Sequence, residues 1–297
     1  LYEWINDSTV ASVGSNAQLD GNATPGSAAI TDMKYYNEVE DGSRANGWYK
    51  IDGSEDVGTD DDTDWYYFKD GKAKKADTSK DQVAHITDDD TNFVYRARIK
   101  VEGKYFAFDE NGAMQTGLQY IPEDGAFYYY DENGYEKTGK ISSVENEDDD
   151  YAFYFNTKNG KNGQGYTGEK DGYLYFGGKR LEADDDYRLF YVEGKVYLVN
   201  TKGKVQKSSK KYDVENKGID AEVYVTINKN SKSVAKVGEE TAETLINNIN
   251  FVNNYPHTSD IMEDTKVSVP FIQLYDDNLY TYTKGTGSVT PTWTAKN

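Results

Sequence analysis

The chain has no cysteine. That excludes a disulfide framework, a thiolate nucleophile and a cysteine-ligated metal. Histidine is almost missing too, and the two present, His85 and His257, lie far apart. The commonest general base and metal ligand is therefore scarce. No window approaches the ~18 consecutive apolar residues of a membrane-spanning helix. Aliphatic material is thin: hydrophobic residues make up 36% of the chain and mean hydropathy is -0.86. Positive charge is short as well. Lys and Arg number 33 against 52 Asp and Glu, a net charge of -19. Such a field repels nucleic acid and anionic surfaces and leaves neutral sugars and cationic groups as partners. No Gly-x-Ser-x-Gly elbow, glycine-rich phosphate loop or His-Glu-x-x-His motif occurs.

What the chain does have is aromatic residues, at 14%, with 27 Tyr. Disordered chains are poor in aromatics, so Tyr and Phe here replace Leu and Ile as buried material. The second feature is repetition. Val101-Glu-Gly-Lys-Tyr-Phe-Ala-Phe-Asp-Glu-Asn-Gly112 returns as Val192-Glu-Gly-Lys-Val-Tyr-Leu-Val-Asn-Thr-Lys-Gly203. A third version, Ala126-Phe-Tyr-Tyr-Tyr-Asp-Glu-Asn-Gly134, lies between them. Repetition of this kind sets the architecture before any single residue does.

Residues 47–208 read as a run of such units. Each has an aromatic strand, then Asp or Asn, a Gly turn and a short second strand. The turn glycines Gly71, Gly112, Gly134, Gly160, Gly178 and Gly203 are 41, 22, 26, 18 and 25 residues apart. The gap of 41 leaves room for a degenerate unit near Ile86 to Ile99. Aromatic strands ended by Asp-Glu-Asn-Gly read as β-hairpins. One hairpin cannot bury its own aromatic face, whereas a row of them can. In Phe127-Tyr128-Tyr129-Tyr130, alternation puts two rings inside and two outside.

Residues 1–46 read as an N-terminal linker or cap, with a turn signal at Gly21 to Ser27. Residues 209–297 lose the repeat phrase and read as a C-terminal cap or small α+β or β addition. There, Ala221 to Ile227 alternates like a strand. Glu239 to Asn250 has helical spacing, with Leu245, Ile246 and Ile249 on one face. Val267 to Tyr282 returns to strand character, interrupted by Pro270. The expected fold is mainly β, a β-hairpin repeat solenoid with that small C-terminal addition.

Thr116-Gly117-Leu118-Gln119-Tyr120-Ile121, followed by Gly125, Phe127-Tyr128-Tyr129-Tyr130-Asp131 and Gly134, resembles the cell-wall-binding repeat. That family comprises the choline-binding and glucan-binding repeats of Gram-positive bacteria and the similar repeats of clostridial toxins. The usual Thr-Gly-Trp is Thr116-Gly117-Leu118 in one unit here and Thr138-Gly139-Lys140 in the next. Gly47-Trp48 and Trp65 keep tryptophan. The resemblance implies a hairpin solenoid on a secreted or surface protein. It also implies aromatic ligand sites holding teichoic-acid choline, glucan or another glycan. On that basis the candidate ligand-binding residues are Trp48, Trp65, Tyr67, Tyr120, Phe127 and Tyr129.

The acidic runs Asp60–Asp64, Asp88–Asp90, Glu147–Asp150 and Asp184–Asp186 each precede an aromatic strand. They read as solvated loops that blunt sheet edges. A calcium loop of the EF-hand type wants Gly at its sixth position and Glu at its twelfth. Counting from Asp60, those positions hold Trp65 and Gly71. Outside the repeats, 46 and 89 residues remain, too few for ordinary glycosidase domains.

The expected function is non-catalytic: attachment of a parent protein to cell-wall polysaccharide or extracellular glycan, without cofactor, metal, nucleic acid or membrane span. The alternative is a structural stalk, or an adhesin-like module that meets a surface protein partner. The chain starts at Leu1, which reads as a mature or trimmed fragment of a secreted or cell-wall-associated protein.

Overall fold

A computed structural model describes residues 3–6, 33–36, 43–52, 63–86, 91–146, 149–158, 160–215, 222–252, 269–272, 280–283 and 292–295. They fall into two compact units, one ending at Lys137 and the other beginning at Thr138. Both are built from small antiparallel sheets rather than a closed barrel. No helix among the described residues is long and apolar enough to cross a membrane.

The first unit contains a three-stranded motif three times. Its sheets are Gly47–Ile51, Asp64–Lys69, Lys72–Ala73; then Ala97–Val101, Lys104–Phe108, Met114–Gln115; then Gly117–Ile121, Ala126–Tyr130, Glu136–Lys137. Each unit thus starts one strand earlier than the aromatic phrase suggests. The phrase Val-Glu-Gly-Lys is the tight turn joining that extra strand to the aromatic one. Val101 pairs with Lys104 and Val192 with Lys195. Both central residues have positive φ: 48° and 87° at Glu102 and Gly103, 48° and 76° at Glu193 and Gly194. That is the two-residue hairpin turn whose twist matches the strands.

The second turn works differently. Asp109 Oδ1 accepts the backbone N–H groups of Asn111, Gly112 and Ala113 at 2.8–2.9 Å. Asp131 Oδ1 accepts those of Asn133 and Tyr135, and Asn200 Oδ1 those of Lys202 and Lys204. Asp and Asn share this position because either offers the same oxygen acceptor.

Glycine closes that turn for two reasons. Its φ is positive, for example 94° at Gly112 and 70° at Gly203. Its missing side chain also admits the neighbouring sheet. A Cβ on Gly112 would lie 2.7 Å from Ala73 Cβ, and one on Gly203 would lie 2.8 Å from the Leu181 carbonyl oxygen. A Cβ on Gly134 would overlap Met114 Sδ.

Gln82–Ile86 and Thr91–Tyr95 form a separate hairpin, at the place expected for a degenerate unit. It does not separate the sheets on either side of it, because Gly112 packs directly on Ala73 and Ala76 N–H bonds to Asp109 O.

In the first unit the core is aromatic, as expected, whereas the second unit also holds a largely aliphatic cluster. Tyr66 and Phe68 pack with Ala45 and Ala113, and Tyr128 and Tyr130 with Ala107 and Ile121. Phe127 is buried as well, so the run 127–130 hides three rings rather than two.

In the second unit, Gly139–Asn146, Asp149–Phe155, Lys179–Arg180, Tyr173–Phe176 and Gly168–Lys170 form a five-stranded sheet. The hairpin Tyr187–Val192/Lys195–Asn200 continues the repeats. It pairs with Val269–Ile272, which pairs in turn with Ile249–Val252. Lys210–Asp213, Glu222–Ile227, Val234–Val237 and Glu240–Thr241 form a further sheet.

The helix expected over 239–250 is one turn, Ala242–Leu245, capped by Thr241 and followed by a 3-10 turn to Asn248. Ile249 belongs to a strand instead, because the β-branched and aromatic run Ile249–Val252 finds a pairing partner. Pro270 lies inside the partner strand, opposite Phe251. One buried cluster joins Leu189, Val196 and Leu198 to Tyr212, Val225, Val237 and Leu245. That buried cluster runs across residue 208. We propose 1–46, 47–208 and 209–297 as divisions of repeat content alone.

Gly194 and Gly203 give a paired test of stacking. Both have positive φ, but a Cβ on Gly194 meets nothing within 4 Å. Gly194→Ala should lose ~1 kcal/mol from conformation alone. Gly203→Ala should lose at least ~1 kcal/mol more, because the Leu181 carbonyl must move. Urea unfolding of the two variants measures the difference, and equal losses would contradict the close approach.

Burial pushes the Asp109 carboxyl up to about 6, with Arg96 opposing and Glu110 adding to the rise. A carboxyl whose folded pKa is raised stabilises the fold below its ordinary pKa, and that contribution is lost as pH rises through about 6. Asp109→Asn keeps the oxygen acceptor, as Asn200 does naturally. The stability difference between variant and parent should be flat below pH ~4 and shift toward the variant by ~2 kcal/mol between pH ~4 and ~6. Denaturant melts across that range check this, and a pH-independent difference would show an ordinary carboxylate.

Candidate ligand-binding cleft

Strand alternation prepares the site. In Asp64–Lys69, Tyr66 and Phe68 turn into the core while Trp65 and Tyr67 take the other face. Trp48 lies opposite Tyr67 on the paired strand, with ring centroids 5.2 Å apart in an edge-on arrangement. The next sheet brings Phe106 to 4.7 Å and Phe108 to 6.0 Å from the Trp48 ring. Trp48 is thus half core and half wall. Trp65 is 43% exposed.

The third sheet closes the site. Its turn presents Tyr135, which lies 5.5 Å from Phe106 and is 39% exposed. Asp131 holds the turn that carries that ring by accepting the Tyr135 backbone N–H at 2.9 Å. Arg98 ties the second and third sheets together. It binds Glu136 through two hydrogen bonds, of 2.5 and 3.0 Å. Its guanidinium also lies 3.5 Å from the Tyr105 ring centre and 4.7 Å from that of Tyr128.

The result is a cleft of about 320 Å³ lined by Trp48, Trp65, Phe106, Met114, Tyr135 and the turn Glu132-Asn133. Glu132 is exposed at the turn. Lys104 Nζ lies 3.7 Å from the Tyr135 ring centre, so that ring already engages a cation. Aromatic faces with a nearby carboxylate suit a cationic group, and a tryptophan face also suits a sugar. Among the described residues, no group of three His, Asp or Glu is placed to hold a metal ion. Asp60–Asp62, Asp88–Asp90 and Glu147–Asp148, from the acidic runs, lie outside the described residues.

Of the six residues singled out from the sequence, Trp48 and Trp65 line this cleft. Tyr67 flanks it against Trp48, and its hydroxyl lies 3.5 Å from Glu102 Oε1. Tyr120, Phe127 and Tyr129 are elsewhere, on the hairpin Gly117–Ile121/Ala126–Tyr130. Tyr120 and Phe127 meet each other edge-on at 5.0 Å, and Phe127 is only 3% exposed. Phe106, Met114 and Tyr135 were not singled out. A signal for Tyr135 was available, because it follows the turn glycine where the other copies carry Lys72, Ala113, Lys161, Lys179 or Lys204.

No family model and no curated protein matches the chain. Solved structures similar to it include CbpF in complex with ipratropium, at 22% identity and a TM-score of 0.38, over 69% of this chain and 57% of that one. Choline-binding protein F from Streptococcus pneumoniae with a peptidoglycan analogue is similar at 20% identity and a TM-score of 0.32, over 68% and 77%. Alternansucrase in complex with isomaltononaose is similar at 14% identity and a TM-score of 0.30, over 85% and 19%. The chain thus spans little more than half of the first of these. At such likeness the ligand has to be argued from the cleft itself.

Trp65 and Trp48 should separate binding from folding. Trp65→Ala removes an exposed wall and should change stability by less than ~1 kcal/mol. Trp48→Ala empties contacts to three rings and should lose ~2–4 kcal/mol. Thermal melts of both variants check this, and equal losses would contradict the division of roles.

Proposed function

We propose that this chain is a non-catalytic attachment module that binds cell-wall or extracellular glycan outside the cell, and that the cleft of the first unit is a working ligand site. The observation carrying this reading is the convergence of Trp48, Trp65, Phe106 and Tyr135 from three sheets on one open cavity with Glu132 at its turn. Rings that only served the core would be covered, whereas Trp65 and Tyr135 are open to solvent.

The ligand we favour there is a quaternary ammonium head such as choline carried by teichoic acid. The rings supply cation–π attraction, Glu132 supplies a countercharge, and the net charge of -19 draws cations toward the surface. The resemblance of the repeats to wall-binding families supports the same class. One site of this kind is weak, and attachment gains from several ligands along one polymer.

Calorimetric titration with choline chloride, and with the uncharged isostere 3,3-dimethylbutanol, tests the reading alongside pull-down on purified walls. Choline should bind saturably and more tightly than the isostere, with a loss of at least ~10-fold in Trp65→Ala. Binding to wall glycan but not to choline would move the cleft to sugar stacking. Binding to neither would leave the stalk reading.

A further inference from the structure

A second cavity, of about 400 Å³, lies wholly within the second unit, between the turn of the last repeat hairpin and the C-terminal sheet with its helical turn. The repeat grammar gives no hint of it, because most of its walls come from residues past 208. Its floor is Val196 and Val234, both buried. Tyr191, half-buried, packs against the same core cluster, so the ring is held in place before any ligand arrives.

The polar groups around that ring are mixed in kind. Asn228, Ser233, Thr241, Lys195 and Glu243 all line the cavity. Ser233 is only 8% exposed, and its hydroxyl meets Ser231 Oγ at 2.7 Å and Asn228 Nδ2 at 3.4 Å. Among the described residues, the Asn228 Oδ1 accepts no hydrogen bond. Thr241 Oγ1 accepts the Thr244 N–H at 3.3 Å. Among the described residues, neither Lys195 nor Glu243 forms an ion pair.

One ammonium and one carboxylate cancel, so no net local charge selects an anion or a cation. Both stay free for hydroxyl groups, one as donor and the other as acceptor. A tyrosine ring beside unspent donors and acceptors matches a molecule with an apolar face and a rim of hydroxyls. We propose that this cavity is a second binding site, for one neutral pyranose residue of a glycan. It differs in chemistry from the tryptophan cleft and does not rest on the cationic reading of that cleft.

The test uses the full chain carrying Trp65→Ala, so that binding at the first cleft is weakened. Isomaltotriose, maltotriose and chitotriose are titrated by calorimetry, and backbone amide shifts are followed by NMR. At least one sugar should bind saturably, with shifts centred on residues 191–196 and 228–243. Asn228→Ala and Glu243→Ala replace exposed side chains away from the core. Each should weaken binding by about tenfold without changing the melting temperature. Absence of saturable binding to all three sugars would overturn the proposal. So would binding that both substitutions leave intact. Loss of choline binding by the parent chain would bear only on the tryptophan cleft.

Discussion

Gly112 and Gly203 each bring a turn so close to the chain of a neighbouring sheet that only a hydrogen fits between them, and Gly134 packs in the same way on the Met114 side chain. The rest of the repeat architecture depends on this approach. It fixes the distance between successive sheets, and so decides which rings meet. Asp or Asn a few residues earlier holds the same turn by binding its backbone N–H groups. The Asp/Asn-to-Gly phrase is therefore an instruction for stacking as well as for turning.

With spacing fixed, aromatic rings carry two tasks. Tyr66, Phe68, Tyr128 and Tyr130 fill the space that aliphatic residues fill in most proteins. Trp48 spans both tasks, touching Phe106 and Phe108 with part of its surface and lining the cleft with the rest. Residues that position the walls do not need to touch a ligand. Arg98 and Glu136 set the third sheet against the second, and Asp131 sets Tyr135. The cleft is a product of the stack, so its rigidity comes from contacts made for folding.

Much of this was legible in the sequence because it lives in local chemistry. Turn glycines, Asp and Asn acceptors and aromatic strands have short-range signals, and they led to the hairpin architecture. Trp48 and Trp65 stood out as tryptophans at repeat positions. Phe106, Met114 and Tyr135 did not, because their role comes from the approach of separate sheets, which no spacing rule encodes. Tyr120, Phe127 and Tyr129 fit the same local grammar as Trp65, but packing covers Phe127 and takes the trio away from the cleft. The helix expected over 239–250 gave way to strand pairing at Ile249–Val252, a non-local contact that outweighs helical spacing. The degenerate unit near Ile86 was legible as a hairpin, but its exclusion from the stack was not.

The cleft exists only if three separate sheets meet around it. The most direct measurement is a nuclear Overhauser spectrum of a deuterated chain with protonated Trp, Phe and Tyr rings, assigned by single substitutions. Cross-peaks should join Trp48 to Phe106, whose centroids are 4.7 Å apart, and Phe106 to Tyr135, at 5.5 Å. A spectrum with the Trp48–Tyr67 contact of the first hairpin but neither of those would show hairpins that fold without stacking, and no cleft built by three sheets.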